Sequence, residues 1–467
     1  MRRTKIVCTI GPASESEDTI RRLIEEGMDV ARLNFSHGSH ASHARVIRRI
    51  RRAARRLGKP VAILQDLPGP KIRIGSIQGD RIQLRRGQTY TLTARRVLGN
   101  AQMVSVSHKN FARVIKPGDP ILIGDGEIEL EAVKREKDSV VCKVTLGGVL
   151  SSHKGIHFPR GKLNLPSLTP QDKRDLSFGI KQNVDFVALS FVRHSRDVLQ
   201  ARREMRKRNA TIPLIAKIEK HEALDHIDAI LEAVDGIMVA RGDLGLEIPL
   251  EKVPSFQKMM IRKANRLGKP VITATQMLRS MVQNPRPTRA EVADIANAVL
   301  DGTDALMLSE ESAVGNYPVE AVRTMAQIAA ETEKILEPRS QFDGLAPTVP
   351  EAISYAAVSL ARDLRVKAFL IPTTSGSTAR MIARYRPSQP IVAVSPNAQT
   401  VKSLCLVSGV YPVHVGSFQS TEAMLRLAQD KALKTGLVKK SDLVAITAGL
   451  PLHQSGTTNM ITVKPID

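Results

Sequence analysis

The sequence predicts an α/β protein: a (β/α)8 TIM barrel interrupted by a small inserted all-β lid domain and followed by a C-terminal α/β domain. Three observations carry that prediction. Eight short apolar segments alternate with amphipathic helical stretches, which is the rhythm of a (β/α)8 barrel. The rhythm breaks once, over residues 71–165, where Gly, Val, Thr and short alternating runs take over. Beyond Pro338 a second, shorter strand–helix series begins. The expected divisions are residues 1–70 with 166–337 for the barrel, 71–165 for the lid and 338–467 for the last domain.

The barrel strands are expected at Lys5–Ile10, Val30–Asn34, Val61–Gln65, Phe186–Ser190, Leu214–Ile218, Gly236–Ala240, Val271–Thr275 and Ala305–Leu308. Most are continuous Val/Ile/Leu/Ala runs, the pattern of strands buried on both faces. Thr169, Pro170 and Asp172 supply an N-cap, an N1 proline and an N3 acid, and Arg289–Leu300 reads as a second helix. Leu-Gly-Lys-Pro ends a helix ahead of a strand twice, at 57–60 and 267–270. The inserted segment is too long for a βα loop. Its alternating runs, Asp80–Leu84, Thr89–Thr93, Ile121–Ile123 and Val140–Val144, read as strands of a lid beside the catalytic rim. In the last domain a helix is expected over Ala352–Leu364, strands over Ala368–Ile371 and Ile391–Val394, and a helix over Ala379–Tyr385. Thr373, Ser375, Ser377 and Thr378 precede that last helix. Hydroxyls there suit a phosphate, and a plain capped turn looks the same.

Composition narrows the function. Aromatic residues make up 3% of the 467 residues, with no Trp, which argues against a base-stacking nucleic-acid platform. The net charge, 69 − 46 = +23, is spread over many helices instead of a tail, as on a solvated outer face. It still concentrates anionic substrates. No apolar run reaches membrane-spanning length. The first apolar run is too short for a signal peptide, so a cytoplasmic protein is expected. Cys8, Cys142 and Cys405 are few, odd in number and far apart, as expected of buried reduced thiols.

The chemistry gathers at two strand ends. Lys217 and Glu219 are two apart at the end of one apolar run, and Asp243 follows the next. Residues two apart on a strand share a face. An ammonium and two carboxylates converging on one strand-end layer make a divalent-cation site with a fixed positive charge beside it, suited to a phosphorylated, carboxylated small molecule. Taken singly, such a strand end is also what a surface ion pair looks like.

These residues recur in a longer ordered set. Thr4–Ala13, then Ala31-Arg32-Leu33-Asn34-Phe35-Ser36-His37-Gly38, Lys217-Ile218-Glu219, Ala240-Arg241-Gly242-Asp243, Ala274-Thr275-Gln276-Met277, Pro285–Glu291 and Met307-Leu308-Ser309 follow in sequence. The whole chain resembles pyruvate kinases. The resemblance implies transfer of the phosphoryl group of phosphoenolpyruvate to ADP, giving ATP and pyruvate, with Mg2+ (or Mn2+) as cofactor. It implies Glu219 and Asp243 as metal ligands and Lys217 as the group neutralising the migrating phosphoryl and the enolate. Arg32 would grip the phosphate, the amides of Gly242 and Asp243 the carboxylate. Thr275 would lie over the methylene carbon, and Ser309 would belong to the proton-delivery network. Asn34, His37 and Arg73 would meet the nucleotide, and Asn34, Ser36 and Asp66 would form a monovalent-cation pocket. A homotetramer controlled by a phosphorylated effector, AMP or a sugar phosphate, is implied as well, with no membrane or nucleic-acid partner.

The departures are as informative. The usual Asp-Thr-Lys-Gly-Pro-Glu-Ile-Arg reads Asp66-Leu67-Pro68-Gly69-Pro70-Lys71-Ile72-Arg73. Lys71 thus stands where the family has a glutamate, and a tethered ammonium makes K+ unnecessary. The lid exit, usually Lys-Gly-Val-Asn, is read at Arg160-Gly161-Lys162-Leu163-Asn164. Gly-Glu-Thr after the last barrel strand is replaced by Glu310-Glu311-Ser312. Two other readings remain at this stage: a metal-dependent, enolate-forming lyase or aldolase, and a basic RNA-binding protein on a barrel scaffold.

Overall fold

The computed structural model describes residues 2–161, 163, 165–338, 348–416, 420–449 and 457–466. Eight parallel strands close a barrel: β1 (Lys5–Thr9), β2 (Val30–Asn34), β3 (Ala62–Leu67), β4 (Phe186–Leu189), β5 (Leu214–Ile218), β6 (Gly236–Ala240), β7 (Val271–Ala274) and β8 (Ala305–Leu308). β8 closes onto β1 with Lys5 opposite Ala305. All eight expected strands are present, four with the expected bounds and four with ends shifted by one or two residues.

Strand parity explains the sequence. Val7, Val30, Leu64, Ala188, Ile215, Met238, Ile272 and Met307 fill the barrel interior. The intervening residues pack outward against the helices, as Ile6, Ala31, Ile63 and Ala216 do. Both faces are therefore apolar, and alternation is invisible. Helix starts follow local rules. Thr169 and Thr288 each accept a hydrogen bond from the N3 amide, and the N3 carboxylates of Asp172 and Glu291 return the bond.

The inserted segment is all-β. A six-stranded sheet runs in the order Ile156–His157, Pro120–Ile123, Ile128–Arg135, Ser139–Leu146, Thr89–Thr93, Met103–Ser105, beside an antiparallel pair of Arg81–Leu84 with Gly148–Ser151. It has its own core around Tyr90, Phe111 and Phe158. Two of its longest strands pair antiparallel, and of these Ile128–Arg135 is absent from the sequence reading. At the hinge, Arg73 bridges Gly155.

The C-terminal domain is a five-stranded sheet, Val410–His414, Ile391–Ser395, Ala368–Pro372, Leu443–Gly449 and Thr458–Pro465, with only the last strand antiparallel. It plugs the barrel floor: Cys405 and Leu406 join the same apolar cluster as Val7 and Val30. A buried ionic latch fixes the contact. Arg386, itself at φ +52, sends its guanidinium to Asp304 at 2.8 Å, to Asn265 Oδ1 at 2.7 Å and to the Gly302 carbonyl at 2.6 Å. Asp304 also accepts from the amides of Val271 and Ser408. Glu333 accepts from the amides of Arg3 and Thr4, holding the start of β1.

Removing one partner of a buried pair leaves the other charge uncompensated, at a cost of about 3–5 kcal/mol. Arg386→Ala should therefore lower the urea midpoint of the barrel and C-terminal domain transition sharply. A midpoint equal to that of the parent chain would show that the latch contributes nothing.

Candidate active site

Six of the eight interior rows of the barrel end in polar side chains at the C-terminal rim. Continuing the inward parity by two residues leads from Val7 to Thr9, Val30 to Arg32, Leu64 to Asp66, Ala188 to Ser190, Ile215 to Lys217 and Glu219, and Met307 to Ser309. Apolar side chains fill the barrel below, and the polar layer caps them.

That layer is a chain of alternating charges. Nε and Nη2 of Arg32 both reach Asp66 Oδ2, at 2.7 and 2.6 Å. Asp66 Oδ1 faces the Lys217 ammonium at 3.3 Å. Lys217 donates to Glu219 Oε1 and to Ser190 Oγ, each at 2.8 Å. Glu219 Oε2 accepts the Phe191 amide at 2.8 Å, an amide aimed inward because Phe191 adopts φ +55. Arg32 also donates to Thr9 Oγ1 at 2.8 Å.

Burial sets the protonation states. Burial alone would lower the Lys217 ammonium, but Asp66 and Glu219 on either side outweigh it and raise its pKa above the usual range. Burial would raise Asp66, yet Lys217 and Arg32 hold it below its ordinary value. Glu219 is pushed up, by burial first and then by Asp243, with Lys217 opposing. Two carboxylates that repel each other in a buried rim call for a cation between them. The Asp243 carboxylate accepts no hydrogen bond from another side chain or amide among the described residues. Glu219 and Asp243 are thus hard oxygen donors of the type that Mg2+ or Mn2+ takes, and the residues present fit such an ion.

Gly242 and Asp243 lie in the first turn of the short helix Arg241–Gly245. The Gly242 amide donates to Thr275 Oγ1 at 2.8 Å. Thr275 holds φ +72, costly for a β-branched residue, and its neighbour Gln276 holds φ +55. Its hydroxyl is thereby turned across the rim, away from any helix cap. A Cβ on Gly242 would lie 3.5 Å from Thr275 Oγ1, an ordinary contact, so packing within the chain does not demand glycine there. Ser309 precedes the helix Glu310–Ala313 without capping it. Its amide goes to Glu311 Oε2 at 2.7 Å, and Glu311 Oε1 takes the Leu278 amide at 3.1 Å.

The outer rim holds the remaining candidates. Asn34 Oδ1 accepts the Ser36 amide at 3.1 Å, and His37 is exposed. His40, which the sequence reading passed over, meets Asp175 at 2.7 Å and stacks on Phe178 at 4.4 Å. Arg73 donates to the His153 carbonyl at 3.0 Å. Lys71 is exposed, and its chain runs beside Gly155. Leu67 is fully buried. Gly69, at φ +67, sits where a Cβ would come 2.9 Å from the Phe191 ring, so the turn into the lid needs glycine.

The lid exit corrects the sequence reading. Lys162 and Asn164 lie outside the described residues. Lys154-Gly155-Ile156-His157 instead pairs with the outgoing hinge strand, and carries the lysine, glycine and β-branched residue in the family's order. Lys154 reaches Glu127 at 3.0 Å. The buried His157 imidazole is pushed down to about 4 by burial, with Lys220 and Lys71 adding to the effect and Asp243 opposing it. Asp66 was expected only as part of a monovalent-cation pocket; the structure makes it the joint between Arg32 and Lys217. His221, Glu222 and Glu247 also converge nearby, but Lys220 already donates to Glu247 at 2.5 Å.

In the last domain, Thr373 Oγ1 accepts the Gly376 amide at 2.9 Å and Thr378 Oγ1 meets Thr458 Oγ1 at 2.7 Å. Ser375 and Ser377 are half-buried, and Arg380 donates to the Ser375 carbonyl at 3.0 Å.

Comparison with known proteins agrees with this geometry. Residues 1–322 match the family model described as pyruvate kinase, barrel domain, and residues 351–464 the one described as pyruvate kinase, alpha/beta domain. A pyruvate kinase of Geobacillus stearothermophilus is 50% identical over 100% of this chain and 80% of its own length. One of Clostridium acetobutylicum is 45% identical over 100% of both chains. One of Staphylococcus aureus (strain MRSA252) is 48% identical over 99% of this chain and 80% of its own. The chain belongs to the pyruvate kinase family.

Proposed function

We propose that the rim is the site at which this chain moves the phosphoryl group of phosphoenolpyruvate to ADP. The observation that carries the reading is Lys217, a buried ammonium held charged between two carboxylates at 3.3 and 2.8 Å. Phosphoryl transfer depends on positioning and charge neutralisation more than on covalent help from the protein. In the step, the bond from phosphorus to the enol oxygen breaks and a bond to the terminal ADP oxygen forms. The departing enolate then takes a proton at its methylene carbon.

Each residue has a task within that step. Arg32, already turned inward by Asp66, holds the phosphate. Lys217 stabilises the charge that develops on the transferring group and then on the enolate oxygen. The Gly242 and Asp243 amides take the substrate carboxylate, displacing the Thr275 hydroxyl, which then faces the methylene carbon. A glycine that packing does not require suits an amide that a substrate must approach closely. Ser309 belongs to the proton-delivery side. Glu219 and Asp243 hold Mg2+ or Mn2+, which neutralises substrate oxygens when bound. Asn34, His37, Arg73 and Lys154 serve the nucleotide. These nucleotide-side groups and the lid favour this reading over an enolate-forming lyase or aldolase, and a complete catalytic rim favours it over RNA binding.

Monovalent salt is dispensable in this reading. Lys71 supplies a positive charge on the loop leaving β3, and Leu67 offers no hydroxyl to a cation at Asn34, Ser36 and Asp66. Ser375, Ser377 and the start of the helix Ser377–Ala383, with Thr373 and Thr378 shaping the turn and Arg380 behind it, accept the phosphate of an activator, AMP or a sugar phosphate. The working form is a homotetramer in the cytoplasm. No helix among the described residues is long and apolar enough to cross a membrane.

Coupled assays of ATP formation test these roles. Lys217→Met should bind metal and phosphoenolpyruvate but lose on the order of 10²–10³ in kcat; a near-normal kcat would remove Lys217 from the step. Glu219→Ala and Asp243→Ala should each shift the Mg2+ titration to much higher concentration, and an unmoved curve contradicts the ligand assignment. With tetramethylammonium as the only monovalent cation, adding K+ should change kcat little, and an activation of about tenfold or more defeats the role given to Lys71. Ser375→Ala with Ser377→Ala should abolish activation by AMP or sugar phosphates and spare the basal rate. If none of these metabolites moves the phosphoenolpyruvate saturation curve of the parent chain, the loop is only a turn.

A further inference from the structure

A cavity roomy enough for a small ligand lies away from the rim, beneath the barrel. It measures about 1000 Å3 and separates the barrel floor from the C-terminal domain. Eight Lys and Arg side chains line it against a single carboxylate, Asp29. Across the whole chain the ratio is 69 to 46, so basic composition alone does not produce so one-sided a wall.

Part of that charge is already engaged. Arg2 pairs with Asp29 at 2.8 Å and Arg51 with Asp185 at 2.8 Å. Lys5 donates to the Val410 carbonyl at 2.6 Å and lies over the Tyr411 ring. Lys402 donates to the Val61 carbonyl at 3.1 Å. Four cations remain. Arg55 and Lys59 stand on the barrel wall, Lys431 and Lys434 on the wall contributed by the helix Thr421–Lys434, and none of them meets a carboxylate among the described residues. Like charges thus face each other across a water-accessible gap between two domains, an arrangement that costs stability until an anion enters. Between them, Val401, Val413, Tyr411 and Leu437 offer apolar surface for the body of a ligand.

We propose that this interdomain cavity binds a small phosphorylated polyanion, one carrying at least two anionic groups, so that each wall meets one. The site is separate from the Thr373–Thr378 turn, none of whose residues lines the cavity, and it does not depend on an effector binding that turn.

The floor gives the ligand a route to the rim. Asp29 Oδ2 accepts the Ile6 amide on β1 at 2.9 Å, and its own chain enters β2 one residue later. β1 ends at Thr9, and β2 carries Arg32 two residues beyond Val30. Cys405 and Leu406, which pack into the barrel interior, follow Lys402 on the far wall. A ligand that draws the two walls together therefore orders the strands that present the phosphate-gripping arginine. Saturation with phosphoenolpyruvate should shift to lower concentration when the cavity is filled.

The test uses the full chain, tripolyphosphate as probe, no divalent ion, and sodium chloride at matched ionic strength as control. Calorimetric titration and thermal unfolding are run on the parent chain, on Arg55→Gln/Lys59→Gln/Lys431→Gln/Lys434→Gln, and on Ser375→Ala/Ser377→Ala. The parent chain should bind the probe and unfold at a higher temperature with it. The fourfold variant should bind it about tenfold more weakly or worse while keeping its basal kcat, and the loop variant should bind like the parent. Affinity in the fourfold variant within threefold of the parent overturns the proposal. So does loss of binding in the loop variant, or stabilisation that chloride reproduces. If the fourfold variant fails to fold, the two wall pairs are changed separately, and each should weaken binding; no weakening in either also overturns it.

Discussion

The rim depends on one constraint: Lys217 must stay charged while almost wholly removed from water. A lone buried ammonium would shed its proton. Asp66 and Glu219 prevent this, and each of them needs its own support. Asp66 is satisfied by Arg32 across β2 and β3. Glu219 is satisfied by the Phe191 amide, available because the chain turns through φ +55 beyond β4. Four neighbouring strands are thus tied together by charge at one layer, and the barrel's closed register holds them there. Breaking such a network by removing one member costs about 3–5 kcal/mol where nothing replaces the charge. In the proposed reaction a metal ion held by Glu219 and Asp243 would supply replacement charge, so the effect of changing Lys217 would fall on the chemical step.

The barrel was readable because its strands obey a rule that leaves a trace in the sequence. Strands buried on both faces are continuous apolar runs, and the first polar residue after each run marks the rim. Lys217, Glu219 and Asp243 stand out for that reason. Asp66 did not, because its decisive partner lies 151 positions away in the chain and nothing local records the pairing. Ser190 and Phe191 went unnoticed because a serine hydroxyl and a backbone amide acquire meaning only from the turn that aims them. Thr275 breaks strand parity through a positive φ that no propensity would assign to a threonine. In the lid, Ile128–Arg135 does alternate from Ile128 to Ala132, but its Glu129, Glu131, Ala132 and Lys134 are weak strand formers, so composition hides what the pattern shows. The lid exit was read six residues late because Arg160-Gly161 imitates the basic-Gly pair that Lys154-Gly155 supplies.

Charge also organises the molecule away from the rim. Below the barrel, Arg386 and Asp304 clamp the C-terminal domain at one point, while a short distance away the same two domains face each other with unbalanced cations. The latch fixes the two domains at one contact, and the apolar plug of Cys405 and Leu406 packs into the barrel interior beside Val7 of β1 and Val30 of β2 at another. Lid, rim and floor are then three faces of the same eight strands, and the +23 net charge finds a use wherever phosphate groups are expected.

A double-mutant cycle between Asp66 and Lys217 tests the central interaction most directly. Asp66→Asn, Lys217→Met and the pair are compared by kcat/KM for phosphoenolpyruvate, with circular dichroism confirming that each is folded. If Asp66 acts by holding Lys217 charged and in place, the double variant should be scarcely worse than Lys217→Met alone, so that the losses are strongly non-additive. Losses that simply multiply would mean that Asp66 and Lys217 act independently, and would contradict the alternating-charge rim.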